Sequence, residues 1–142
     1  MYGSLDISTS GMIAQRIRVE AAAANMVNKD SVSMVGGRPE PYRARHVMLS
    51  SGDPTAITAE GKQFGVHVAD IALSEAPPNY KYDPESPFAM KDGPRPGYVP
   101  FPNINPMIEQ INGMEAARAY EANVVAAETT KTMMAQALRL IA

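Results

Sequence analysis

The side chains that could do chemistry here are two histidines, His46 and His67, a few serines and some scattered carboxylates. His67 stands between Val66 and Val68, and in a strand it would face away from their side, as an exposed or partner-facing ring. No HExxH, paired-histidine or aspartate-rich spacing accompanies either histidine, so the pattern supports neither a metal site nor a general base. Nucleophilic catalysis would need a serine held beside a base, and neither GxSxG nor SxxK occurs. Ser4, Ser8 and Ser10 are better explained as helix-capping residues. Glycines 61 and 65 lack the GxxxxGK[ST] spacing that cradles phosphate. Asp83 and Glu85 lie beside prolines in a turn expected to face solvent, which gives glycosidase-like acid and base roles little support. The sequence therefore assigns no catalytic residue, no cofactor and no metal.

Composition excludes further classes. A chain of 142 residues with net charge -2 has no clustered basic face, so nucleic acid is not expected as a partner. Its densest basic group, Arg38, Arg43 and Arg45, is interrupted by Pro39, Glu40 and Pro41 and reads as a solvated loop. The absence of cysteine removes disulfides and thiolate chemistry. No stretch approaches the roughly 20 apolar residues of a membrane span. The start of the chain has neither the basic nor the apolar region of a cleaved signal peptide, so membrane insertion is not expected and export would need another route.

Proline placement organises the rest. All 12 prolines fall between Pro39 and Pro106. Proline removes a backbone donor and clashes inside a helix, so long helices are allowed only at the two ends. Three segments follow: an N-terminal helical segment 1–29, a proline-rich middle 30–102 with short strands, and a C-terminal helical segment 103–142. The expected fold class is mainly α with a small β or irregular middle.

From about Ser4 to Asn28, Leu5, Met12, Val19 and Met26 recur every seven positions, and Ile13, Ile17, Ala24 and Val27 form an adjoining stripe. Gln15, Arg18, Asn25 and Lys29 are expected on the opposite, polar side. Arg16 and Glu20 form an i,i+4 pair. Gly11 costs about 1 kcal/mol relative to alanine in a helix, which leaves a start at Ser10 as an alternative to a cap at Ser4. From about Asn103 to Ile141, Ile104, Ile108, Ile111 and Met114 lead into Ala117, Tyr120, Val124, Ala127, Met134, Leu138 and Ile141 at helical spacing. Asn105 before Pro106 suits an N-cap and first-turn proline, and Glu109 suits the positive end of the dipole. At about 1.5 Å per residue this helix exceeds about 50 Å, more than a small domain's diameter.

In the middle, Tyr42 to Leu49 and Phe64 to Leu73 carry β-prone residues, with turns expected at Gly36-Gly37, at residues 51–54 and at Glu60-Gly61. After Ala76 the proline and glycine content favours extended chain and turns over a core. Met107, Met114, Met133 and Met134 could fill a core or form a plastic binding stripe. Because the middle offers little apolar cover, both helices are expected to be covered by other molecules and to order on assembly.

The residues also carry a resemblance. Leu5 to Met12 with Ala14-Gln15-Arg16, Ala24-Asn25 and Asn28 resembles the N-terminal signature of flagellar rod and hook proteins. Residues 117–124, then Lys131, Met133 and Ala137-Leu138, resemble the C-terminal signature of the same axial group. Pro41-Tyr42-Arg43, Tyr82-Asp83-Pro84 with Pro87, Gly97-Tyr98-Val99 and Pro102 to Asn105 are similar to the proximal rod type, whereas residues 47–62 match nothing.

The resemblance implies a structural, non-enzymatic subunit of the bacterial flagellar basal-body rod. In such a subunit the terminal helices pair as a coiled-coil-like layer lining the inner tube, and the middle forms an outer module. It further implies export through the flagellar type III apparatus without a cleaved signal, self-association in the rod, and contacts with other rod and basal-body proteins. Candidate interface residues are Leu5, Met12, Ile13, Ile17, Val19, Met26, Ile108, Ile111, Met114, Tyr120, Asn123, Val124, Met134 and Leu138. Of these, Tyr120 and Asn123 need hydrogen-bonding partners when buried, and Arg118 and Glu121 could set register by charge pairing. Competing readings are another axial protein, a helical adaptor or secreted effector gripping one partner, and an enzyme using His46 or His67.

Overall fold

The computed structural model describes residues 2–141. Met1 and Ala142, the outermost residues of the two expected terminal segments, lie outside the described residues. Helix α1 spans Tyr2–Val27 and helix α3 spans Pro106–Ile141, with a short helix α2, Ala59–Phe64, between them. Six strands complete the described residues: β1 (Val32–Val35), β2 (Arg38–Pro41), β3 (Arg45–Ser51), β4 (Val66–Leu73), β5 (Asn79–Tyr82) and β6 (Tyr98–Phe101). They pair as three antiparallel two-stranded ribbons, β1 with β2, β3 with β4 and β5 with β6.

The long helices start and stop where local chemistry directs. The Asn105 side-chain oxygen accepts from the Met107 amide at 3.0 Å, and the Asn105 carbonyl accepts from the Glu109 amide at 3.1 Å, so Asn105 caps α3 with Pro106 at its first position. At the other end of the chain α1 begins at Tyr2, so neither Ser4 nor Ser10 is its start. Ser10 instead sits inside the helix. Its hydroxyl donates to the Ile7 carbonyl at 2.7 Å and accepts from the Val66 amide at 3.1 Å, tying α1 to the first residue of β4. The expected Arg16–Glu20 pair forms at 3.5 Å with both side chains about two-thirds exposed, a contribution of a few tenths of a kcal/mol.

α1 is the central element. One side packs along α3 and another packs on α2, β3 and β4. This corrects the expectation that both terminal helices lack cover within their own chain: α1 is covered twice, while α3 rests mainly on α1. The two helices run antiparallel, since contacts join Asn25 to Glu109, Ala22 to Gly113 and Gly11 to Asn123 in reverse order. Small residues make the close approach possible. Ala116 is fully buried, Ala22 and Ala127 are buried, and a Cβ placed on Gly11 would lie 2.8 Å from the Asn123 amide nitrogen. The apolar core is correspondingly thin: Ala14, Ala22, Ala44, Val99, Ala116 and Ala127.

The polar side expected for α1 is also corrected. Asn25 is 1% exposed, and Gln15 and Arg18 are half-buried; Thr9, Arg16, Glu20 and Ala23 face solvent instead. The reason is that helical spacing alone gave α1 one covered face, whereas a helix held between two layers has two.

The middle follows its turn chemistry. Gly36 and Gly37 have φ of +57° and +78° and close β1–β2 with a two-residue turn whose twist matches a hairpin. The strands expected near 42–49 and 64–73 are β3 and β4, paired from Arg45 with Leu73 to Ser51 with Val66, with a bulge at Met48/Leu49. Arg38 and Arg45 thus lie on strands and not in a loop. Glu60-Gly61 is helical, not a turn: the Thr58 hydroxyl accepts from the Gly61 amide at 3.1 Å and starts α2. Thr58 is held in turn by Asp6 of α1, whose carboxylate accepts from the Thr58 amide at 3.0 Å and its hydroxyl at 2.6 Å. The stretch after Ala76 contributes more to the interior than its composition predicts, because Val99, Pro100 and Pro102 are buried. The Tyr82 and Tyr98 rings meet edge-on at 5.1 Å, and the Arg95 guanidinium lies 4.3 Å over Tyr80.

Candidate assembly surface

The described residues hold no group of histidines and carboxylates able to bind a metal ion. The His67 ring nitrogen Nδ1 lies against the Gly52 carbonyl, which ties the ring to the turn after β3, and His46 is exposed on β3. In that same turn, the hydroxyl and amide of Thr55 hold the Asp53 carboxyl below the usual carboxylate range. These are structural hydrogen bonds that close a turn.

What the molecule presents is apolar helix surface. Along α3, Met107, Ile108, Ile111, Met114, Val125, Met133 and Leu140 are each about half exposed or more. At 100° per residue they fall on the side of α3 turned away from Gly113, Ala116 and Ala127, the residues facing α1. Glu115 and Arg118 stand among them and are exposed. α3 also outruns its support. With Gly11 opposite Asn123 in an antiparallel pair, the first residue of α1 reaches only to about position 132. Leu138 and Leu140 beyond it are 68% and 89% exposed.

The fourteen residues named from the sequence divide into three groups. Met12, Val19 and Met26 on α1, with Asn123, Val124 and Met134 on α3, are half-buried and lie on or beside the seam between the helices. Ile13 and Ile17 line a cleft of about 280 Å³ between α1, β4 and the turn at residues 53–55, and Leu5 is half-buried. Ile108, Ile111 and Met114 lie on the outer strip of α3, while Tyr120 is 37% exposed on the seam side and Leu138 lies beyond the end of α1. Asn123 donates to the Ala119 carbonyl at 2.9 Å and abuts Gly11.

Sequence reasoning missed the buried polar centre. Asn25 Nδ2 donates to Glu109 Oε2 at 2.8 Å and to the Arg45 carbonyl at 3.0 Å; its Oδ1 accepts from the Arg45 amide at 2.9 Å and the Tyr42 hydroxyl at 3.1 Å. One amide thus uses both donors and both acceptor positions to join α1, α3 and the chain entering β3. Glu109 is 7% exposed. The available signal was a poor helix former, Asn25, sited within an alanine-rich helix.

An antiparallel pair of terminal helices, one of them carrying an exposed apolar strip, has the form of an assembly subunit. Residues 95–140, which include α3 up to its last residue but one, match the family described as flagellar basal body rod FlgEFG protein C-terminal. The flagellar basal-body rod protein FlgC of Escherichia coli O6:H1 is 40% identical over 136 residues, covering 95% of this chain and 93% of the relative. FlgC of Salmonella typhimurium is 38% identical over 95% and 93%, and that of Bacillus subtilis 33% identical over 98% and 97%. The chain belongs to the FlgC family of flagellar basal-body rod proteins. The family is structural, not enzymatic.

Proposed function

We propose that this protein is a subunit of the flagellar rod that polymerises through its terminal helices to build a torque-transmitting shaft. The observation that carries the reading is the outer strip of α3, an exposed apolar face on a helix longer than the partner that supports it. Burying the exposed halves of Ile108, Ile111 and Met114 against neighbouring copies and other rod proteins would gain about 1 kcal/mol per side chain, half the value for a fully exposed one. The seam supports a coiled-coil-like layer: Ser8, Met12, Gln15, Val19, Ala22 and Met26 on α1, and Glu109, Gly113, Ala116, Tyr120, Asn123, Ala127, Thr130 and Met134 on α3, follow three- and four-residue steps. That layer, formed by residues 1–29 and 103–142, lines the inner tube, and residues 30–102 form the outer module. The thin core suits passage through the type III export apparatus, because a chain with few large buried side chains unfolds at low cost.

Ile111→Glu tests the reading. It places a charge on the outer strip without touching the α1 seam, so the variant should fold and be exported yet be absent from purified hook-basal bodies, with motility lost. Normal incorporation of that variant would remove the strip from the interface. A helical adaptor, the alternative reading, predicts a discrete complex and intact rods in a strain lacking the protein.

A further inference from the structure

We propose that Asn25 and Glu109 are positioning residues that fix the register of α3 on α1, and so the height of the outer strip relative to the β3–β4 hairpin. The rest of the seam specifies height weakly. Its closest approaches are made at Gly11, Ala22, Gly113, Ala116 and Ala127, whose small side chains offer nearly the same surface after a slide of one helical turn, about 5.4 Å, while Met12, Val19, Met26 and Met134 beside them are half-buried and apolar and Asn123 bonds to Ala119 of its own helix. Ala117 would then stand where Gly113 stands now. Contacts between methyl groups and glycines are non-directional and discriminate poorly between such arrangements.

The Asn25 amide discriminates well. Its four hydrogen bonds leave no spare capacity, and two of them end on the backbone of Arg45, a fixed point at the start of β3. Glu109 lies in the opening turns of α3, so the pin holds the helix at one end and the phase of the remaining turns follows rigidly. A one-turn slip in either direction would take the Glu109 carboxylate away from its donor and leave an Asn25 N–H unpaired in a site that is 1% exposed, an outcome costlier than lost alanine contacts. A single polar residue at an otherwise apolar helix interface is an established way to choose one register among several. The proposal rests on the assembly reading only for the use of that register; the register itself is a property of the isolated chain, so the two can fail separately.

The absence of cysteine from the sequence makes the test direct. A Cβ on Gly113 would lie 3.7 Å from the Ala22 Cβ, within disulfide reach. Ala22→Cys with Gly113→Cys reports the native register, and Ala22→Cys with Ala117→Cys reports a slip of one turn. In the full-length chain, oxidation should close the native pair at least about tenfold faster than the slipped pair. In the background Asn25→Leu with Glu109→Leu, which removes the amide–carboxylate bond from both sides, helix content should persist and the slipped pair should close within about threefold of the native one. Glu109→Gln keeps an acceptor for Asn25 Nδ2 and should restore the native preference. Three results would overturn the proposal: native-only closure in the double-leucine background, loss of helix content there, or slippage in Glu109→Gln equal to that of the double variant.

Discussion

Gly11 and Gly61 both lie in helices, where replacement by alanine gains about 1 kcal/mol of helix propensity. Their surroundings give the substitutions opposite outcomes. At Gly11 the added Cβ meets the amide end of Asn123, which can rotate away; at Gly61 it meets the Cβ atoms of Ala56 and Asp6 at 2.8 Å, both fixed to backbone. Gly11→Ala should therefore leave the urea midpoint close to that of the parent, while Gly61→Ala should lower it by the equivalent of about 1–3 kcal/mol, the range for overpacking a closed site. Equal midpoints for the two variants would mean that the α1–α2 contact is not as tight as the 2.8 Å separations require. Neither glycine announces this in the sequence: Gly11 reads as a flaw in a helix and Gly61 as a turn. The same limit hid Asn25, because a polar residue in a helix is assigned to solvent unless its partners, here 17, 20 and 84 positions away, are already known to converge on it.

Among the elements, the ends of the chain were legible and the middle only partly so. Proline confinement and the Asn105-Pro106 cap placed α3 to within a few residues, since backbone rules act locally. β3 and β4 were visible from their β-prone residues, whereas α2 was not: six residues containing a glycine owe their helix to Asp6 and Thr58, a contact across more than fifty positions. α1 was found, but its covered faces were not, because a helix packed on two sides has no single apolar arc to read. Val124→Pro follows from the unbroken run of α3. It lies near the middle of a 36-residue helix, is half-buried beside Asn123, and would cost about 3 kcal/mol or more by removing a hydrogen bond and kinking the axis. The outer strip would then be split into two misaligned halves, and incorporation into the rod and swimming should both be abolished. Wild-type swimming by this variant would mean that α3 need not be continuous in the assembly.

For the molecule as a whole, the distribution of cover sets a gradient of stability. The sequence suggested that both terminal helices wait for neighbours, but α1 lies between α3 and the β3–β4 hairpin, with Asp6, Ser10 and Asn25 each bonded across to the middle. Only α3 retains a long exposed face, and its last turns extend past the end of α1. Local opening is easiest where buried contacts are fewest. Amide exchange on the isolated chain should thus be slowest around Val19 and Asn25, intermediate near Val124, and fast near Leu138 and Leu140. Incorporation into the rod should slow the last group most, because neighbours cover what the chain itself leaves bare. Uniform protection along α3 in the monomer would locate its stability in the helix itself and remove the argument that the far end of α3 gains its order from assembly.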